Sequence, residues 1–101
     1  MGTRLVRAVQ LSVDCAIKVI INPQTGEEEN LGFDFFVAEN EVESSIIFIK
    51  STLKELNIPL VKDVEVVGKM LLDEHDVYRK DNILTTIKNE LENLKEPKKI
   101  R

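Results

Sequence analysis

Apolar side chains occupy every odd-numbered position from Val9 to Ile21, and the same parity resumes from Leu31 to Val37. A period of two is that of a β-strand with one buried face. Between the runs lies Asn22-Pro23-Gln24-Thr25-Gly26, a cluster of turn formers. The pattern predicts a long antiparallel hairpin over about residues 4–21 and 27–38. A type I turn closed by a glycine in the left-handed region would make Gln24, Thr25 and Gly26 the loop. Pro23 then faces Glu27, and four apolar pairs follow on one face: Val19 with Leu31, Ile17 with Phe33, Cys15 with Phe35, and Val13 with Val37. Sliding the strands by two residues keeps that face but sets Val19 against Glu29, so the first register is preferred.

In that register strand two reaches back only to about Ser12. Residues 5–11 still alternate beyond it and lack a partner. An isolated hairpin is marginal in water, and an open strand edge invites another strand. Either a third strand of this chain or a strand from a second copy should cover the overhang. Val9 and Leu11 are therefore candidate contact residues, and a homodimer is the expected assembly.

Beyond the hairpin the period changes. Val42, Ile46, Ile49, Leu53 and Leu56 recur at intervals of three and four, predicting an amphipathic helix over about residues 41–56. Asn40 stands at its N-cap, with Glu41 and Glu43 in the first turn. The residue before Pro59 is pushed out of the helical region, which ends the helix. Ile47 and Phe48 lie beside the main stripe, so the apolar face is wider than one sheet needs. Residues 60–72 read either as a third strand or as a second helix. Val61, Val64, Val66 and Val67 favour strand, while Leu60, Val64, Val67 and Leu71 would share a helical face. The unpaired first strand tips the reading toward a strand near residues 64–71. Ile83, Leu84, Ile87, Leu91 and Leu94 predict a C-terminal helix over about residues 82–95, capped at Asp81 or Asn82. The expectation is a single α+β domain over residues 1–96, with a short, mobile basic tail at 97–101.

Composition narrows the function classes. The 101 residues are 43% hydrophobic and 32% charged, and no apolar run approaches the roughly 20 residues of a membrane span. The N-terminus lacks the series of a secretory signal. The single cysteine, Cys15, falls on the apolar face as a small hydrophobe. A cytoplasmic protein without a membrane role is the expectation. The net charge of −4 is unevenly spread, with no basic residue between Lys18 and Lys50 but acidic Glu27, Glu28, Glu29, Asp34, Glu39, Glu41 and Glu43. Such runs ordinarily keep a protein soluble. Here the acidic hairpin tip, Glu27 to Glu29, is also a candidate surface for a basic partner.

Catalytic equipment is sparse. There is no cysteine or histidine pair, no glycine-rich phosphate loop and no Ser-His-Asp pattern. His75, among Asp73, Glu74 and Asp76, is the one group that could hold a divalent metal or do acid–base work, with Asp34 or Asp14 in support. Adjacent residues point in different directions, however, and the cluster reads as an ordinary polar loop. No catalytic, cofactor-binding or metal-binding residue is assigned. Nucleic-acid binding is disfavoured because no basic strand carries exposed aromatics for stacking. Phe36 stands apart on the even-numbered face, which also holds Val6, Ala8, Ala16 and Ile20. The leading expectation is an interaction module (an adaptor, assembly factor or inhibitor) that acts through a sheet edge, Phe36 and an acidic surface. The rivals are a small enzyme or metal-binding domain centred on His75, or a small-ligand-binding domain.

Overall fold

Three antiparallel strands and two helices make up the computed structural model, which describes residues 4–95. The predicted basic tail at 97–101 lies outside the described residues. Strand β1 (Leu5–Asn22) turns into β2 (Glu27–Ala38), and a 3-10 turn at Glu39–Glu41 leads into helix α1 (Val42–Glu55). Strand β3 (Glu65–Asp73), a second 3-10 turn at Glu74–Asp76 and helix α2 (Lys80–Lys95) complete the described residues. The sheet order is β2-β1-β3, so the longest strand is central. The α+β layout and the hairpin are as the sequence predicts, and the ambiguous stretch after α1 forms a strand.

The hairpin register differs from expectation. Gly26 does take the left-handed conformation, with φ 77°, but the loop is one residue longer, because Asn22 faces Glu27 and its carbonyl accepts the Gly26 N–H at 2.8 Å. Two irregularities then place surplus residues on β1. Ile20 faces Glu28 one step before Asn22 faces Glu27, and Lys18 faces Asn30 while Asp14 faces Gly32. Val19 therefore faces Glu29, the arrangement set aside from sequence, and the core pairs become Val13–Phe33, Leu11–Phe35 and Val9–Val37. The accumulated offset in the core is four residues. An even offset preserves the buried face, so the odd-numbered side chains still point inward.

The long strand also bonds a segment beyond the hairpin. Where β1 parts from β2, near Cys15, it bonds the chain that follows α1. Ala16 N donates to the Pro59 carbonyl at 2.8 Å, Val61 N donates to the Asp14 carbonyl at 2.9 Å, and Cys15 bridges Leu60. This strap runs on into β3 and so bonds the edge of β1 opposite β2. The longer loop and the surplus residues on β1, between Asp14 and Lys18 and at Ile21, shift β2 toward the N-terminal half of β1. Ala38 consequently faces Ala8 rather than Ser12. The other edge of β1, from Leu5 to Ser12, is covered by β3. Of the two expected covers for the overhang, the third strand of this chain is the one present.

One helix layer covers one sheet face. The odd-numbered residues from Val9 to Cys15 and from Leu31 to Val37 form a single core with Ile49, Leu53, Ile58, Ile83 and Ile87. Phe35 is fully buried at its centre, stacked on Phe33 with centroids 5.6 Å apart and edge-on to Tyr78 at 5.4 Å. Asn40 does not cap α1. It falls within the preceding 3-10 turn, and the cap position is Glu41, with no side-chain hydrogen bond. The other end is well closed. Asn57 sits at φ 61°, Ile58 N donates to the Leu53 carbonyl at 2.9 Å and Asn57 N to the Lys54 carbonyl at 3.1 Å. That is the Schellman pattern, with asparagine in the left-handed position and Ile58 packed into the core. Helix α2 starts at Lys80, slightly earlier than expected, and Asn82 reaches back from within the first turn to accept the Arg79 N–H at 3.0 Å.

Candidate interaction surface

The face of the sheet turned away from the helices can be built row by row from the pairing, because directly opposed residues share a face. Leu72 lies beside Val6, Met70 beside Ala8 and Ala38, and Gly68 beside Gln10 and Phe36. Val6, Phe36, Ala38, Met70 and Leu72 are half-buried and Ala8 is buried. These side chains form an apolar band at one end of the open face. Toward the hairpin tip the same face turns acidic, with Asp34 beside Ser12, Glu65 across from Ser12, and Asp14 beside Gly32.

Further apolar residues lie along β3, Val66 and Leu71 among them on the helix side, opposite Leu11 and Arg7. Val66, Val67 and Leu71 are exposed, as is Leu5 on β1. The helices stand over β1 and β2, so the residues of β3 on the helix side, Lys69 and Leu71 among them, remain in solvent. The strand carries one bulge, since Gln10 faces Gly68 while Leu11 faces Val66, leaving Val67 as the extra residue. Beyond it, from Gly68 to Asp73, the pairing with β1 is regular.

Charged contacts pin the strap that precedes β3. Lys50 Nζ lies 2.6 Å from Asp63 Oδ1, and Lys62 Nζ lies 3.0 Å from Glu65 Oε1 and 3.4 Å from Asp14 Oδ2. The hydrogen bond from Lys50, with that from the Val64 N–H, holds the Asp63 carboxyl below its ordinary range. Hydrogen bonds to Glu65 and then Asp14 hold the Lys62 ammonium above its own. All of these side chains are substantially exposed, so their contribution to stability is small.

The residues singled out from sequence fare differently. Val9 and Leu11 are 2% and 0% exposed in the central strand and bonded on both sides, so they belong to the core and not to a contact surface. Phe36 does lie on the open face, and its carbonyl accepts the Tyr78 N–H at 2.6 Å. Glu27, Glu28 and Glu29 are exposed at the hairpin tip, about 25 Å along the strand from Phe36, so the acidic tip and Phe36 are not one site. His75 is exposed in the second 3-10 turn, its backbone N–H donating to Asp73 Oδ1 at 2.9 Å. Asp14 lies nine residues along β1 from Leu5, the neighbour of Asp73, or about 30 Å away. It is not brought to the histidine. Among the described residues no group of three histidine, cysteine or acidic side chains is placed to hold a metal ion, and no helix is long and apolar enough to cross a membrane.

The third strand near residues 64–71 was expected; what sequence reasoning missed is its outer edge as a surface, since valines crowded after residue 60 give no sign of which edge stays open until the partner strand is known. Comparison with family models, with curated proteins and with solved structures finds no match to this chain.

Proposed function

We propose that the chain is a small protein-binding module, an adaptor, assembly factor or inhibitor, whose working surface is the open sheet face and the adjoining β3 edge. The observation that carries this reading is the one-sided helix layer. Both helices pack on the same face, which leaves the band of Val6, Phe36, Ala38, Met70 and Leu72 and the apolar outer edge of β3 with no covering element among the described residues. A contiguous apolar patch rimmed by charge is a common mark of a protein contact. Asp34, Glu65 and the more distant Glu27 to Glu29 would favour a partner with basic residues around its apolar centre. The buried free thiol of Cys15 fits a reducing compartment such as the cytoplasm.

The test is photo-crosslinking in the source cells, with a photoreactive residue at Phe36 or Met70 and, as controls, at Glu43 or Lys88 on the exposed sides of the helices. Discrete adducts of the same mass from both sheet positions, absent from the helix positions, are expected. Adducts confined to the helix positions, or none above background at the sheet, would overturn the reading.

A further inference from the structure

We infer that the occupant of the β3 edge is a second copy of this chain, paired strand to strand about a two-fold axis through Leu71; this rests on the binding-module reading and names its partner. In an antiparallel pair of identical strands the opposed residue numbers sum to a constant, and the symmetry makes that constant even. With Leu71 on the axis, Leu71 meets its own copy, Lys69 meets Asp73 of the other chain twice, and Met70 meets Leu72 twice. Each face of the junction is thus self-complementary. The helix-side face has one apolar pair flanked by two pairs of opposite charge, and the open face has two apolar pairs.

Three observations favour this occupant and register. β3 is the last strand of the sheet, so every second backbone N–H and C=O points outward. Leu71 is 62% exposed, and Lys69, also exposed, makes no ion pair among the described residues. Asp73 shares a face with Lys69, the two lying opposite Leu5 and Val9 of β1, so this register sets carboxylate across from ammonium on both sides of the axis. Lastly, residues 68–73 pair regularly with β1, whereas the bulge lies at Val67. A register centred on Val67 would also match charges, Glu65 against Lys69, but it would put the bulge on the axis, where it interrupts pairing. The Leu71 register avoids it. It builds a six-stranded sheet ordered β2-β1-β3-β3-β1-β2 and merges the two open-face apolar bands into one surface.

Light scattering after size exclusion, with the full chain at tens of micromolar, tests this. Twice the chain mass of 11.5 kDa is expected. L71K should give the single mass with an unchanged circular dichroism spectrum, since the side chain is exposed in the single chain. K69D and D73K should each be monomeric alone, and an equimolar mixture should recover the doubled mass, because acid then opposes base at both contacts. L71C should form a disulfide dimer under mild oxidation, the opposed Cα atoms being about 4.5–5.5 Å apart. V67C should not, its two copies lying about 27 Å apart along the strands. The L71C and V67C pair keeps the test decisive if D73K disturbs the 3-10 turn. A monomeric wild type, a dimer indifferent to L71K, or equal cross-linking of both cysteine variants would overturn the inference. A monomeric wild type that still gives adducts with another protein at Phe36 overturns only the second copy. Loss of both dimer and adducts overturns the module reading as well.

Discussion

Phe35 and Phe36 are adjacent in sequence and lie on opposite faces of the sheet, so truncating each in turn measures the one-sided helix layer directly. Phe35 is fully buried between Phe33, Tyr78 and its cross-strand neighbour Leu11. Removing its ring loses transfer free energy and leaves a cavity that a sheet and two helices cannot fully collapse, a cost of about 3–5 kcal/mol. The stability of a domain this size is only about 5–15 kcal/mol, so Phe35→Ala is expected to remove a large share of it. Phe36 is half-buried on the open face, where truncation forms no sealed cavity. Only part of the roughly 1.5–3 kcal/mol for burying such a side chain is at stake, and a loss of about 1 kcal/mol is expected. With a urea slope of about 1–3 kcal/mol per molar, Phe35→Ala should lower the unfolding midpoint by about 2 M and Phe36→Ala by about 0.5 M. Equal losses, or a larger loss at Phe36, would refute the face assignment and with it the argument that Phe36 is there for contact.

Gly26→Val should cost about 1–2 kcal/mol; an added Cβ would meet nothing within 4 Å, so the cost arises from φ 77° alone, and urea denaturation checks it. The Cys15 thiol is pushed up in pKa by burial and then by the charge of Asp14, so an aromatic disulfide reagent at mildly alkaline pH should label it only as fast as the protein unfolds, and rapid labelling of the folded chain would contradict its placement. Asp63 is held below its ordinary value of 3.8 by Lys50; a lowered carboxylate stabilises the fold above its unfolded-state pKa and loses that contribution as pH falls through the folded value. Lys50→Ala should therefore raise the Asp63 pKa, read from its carboxyl carbon shift, and slightly flatten the acid limb of the stability profile.

What was legible in the sequence was what depends on parity and period. The odd-numbered face of β1 and β2, the stripe of α1 and the left-handed Gly26 follow from local sterics and side-chain alternation. Register is a different matter, because it depends on loop length and on where the long strand bulges. A hairpin without bulges would set Cys15 against Phe35, but β1 carries two surplus residues between Asp14 and Lys18 and another at Ile21, and no local pattern announces them. The same blindness misplaced Val9 and Leu11. With the register unshifted they overhang, and with the shift they sit at the centre of a three-stranded sheet. Residues 60–72 could not be resolved locally, since Val64 and Val67 suit both a strand and a helical stripe. Their identity as an edge, and hence as a contact surface, exists only once β1 is in place.

The central claim is that the protein works through its sheet and not through its helix layer, and the helices offer a rival in Ile47, 65% exposed on α1. Radical footprinting in the source cells, compared with the purified chain at sub-micromolar concentration, separates the two. Labelling of Phe36, Met70 and Leu71 is predicted to fall severalfold in the cell while Ile47 labels equally in both settings. Protection of Ile47 with Phe36, Met70 and Leu71 unchanged would contradict the account.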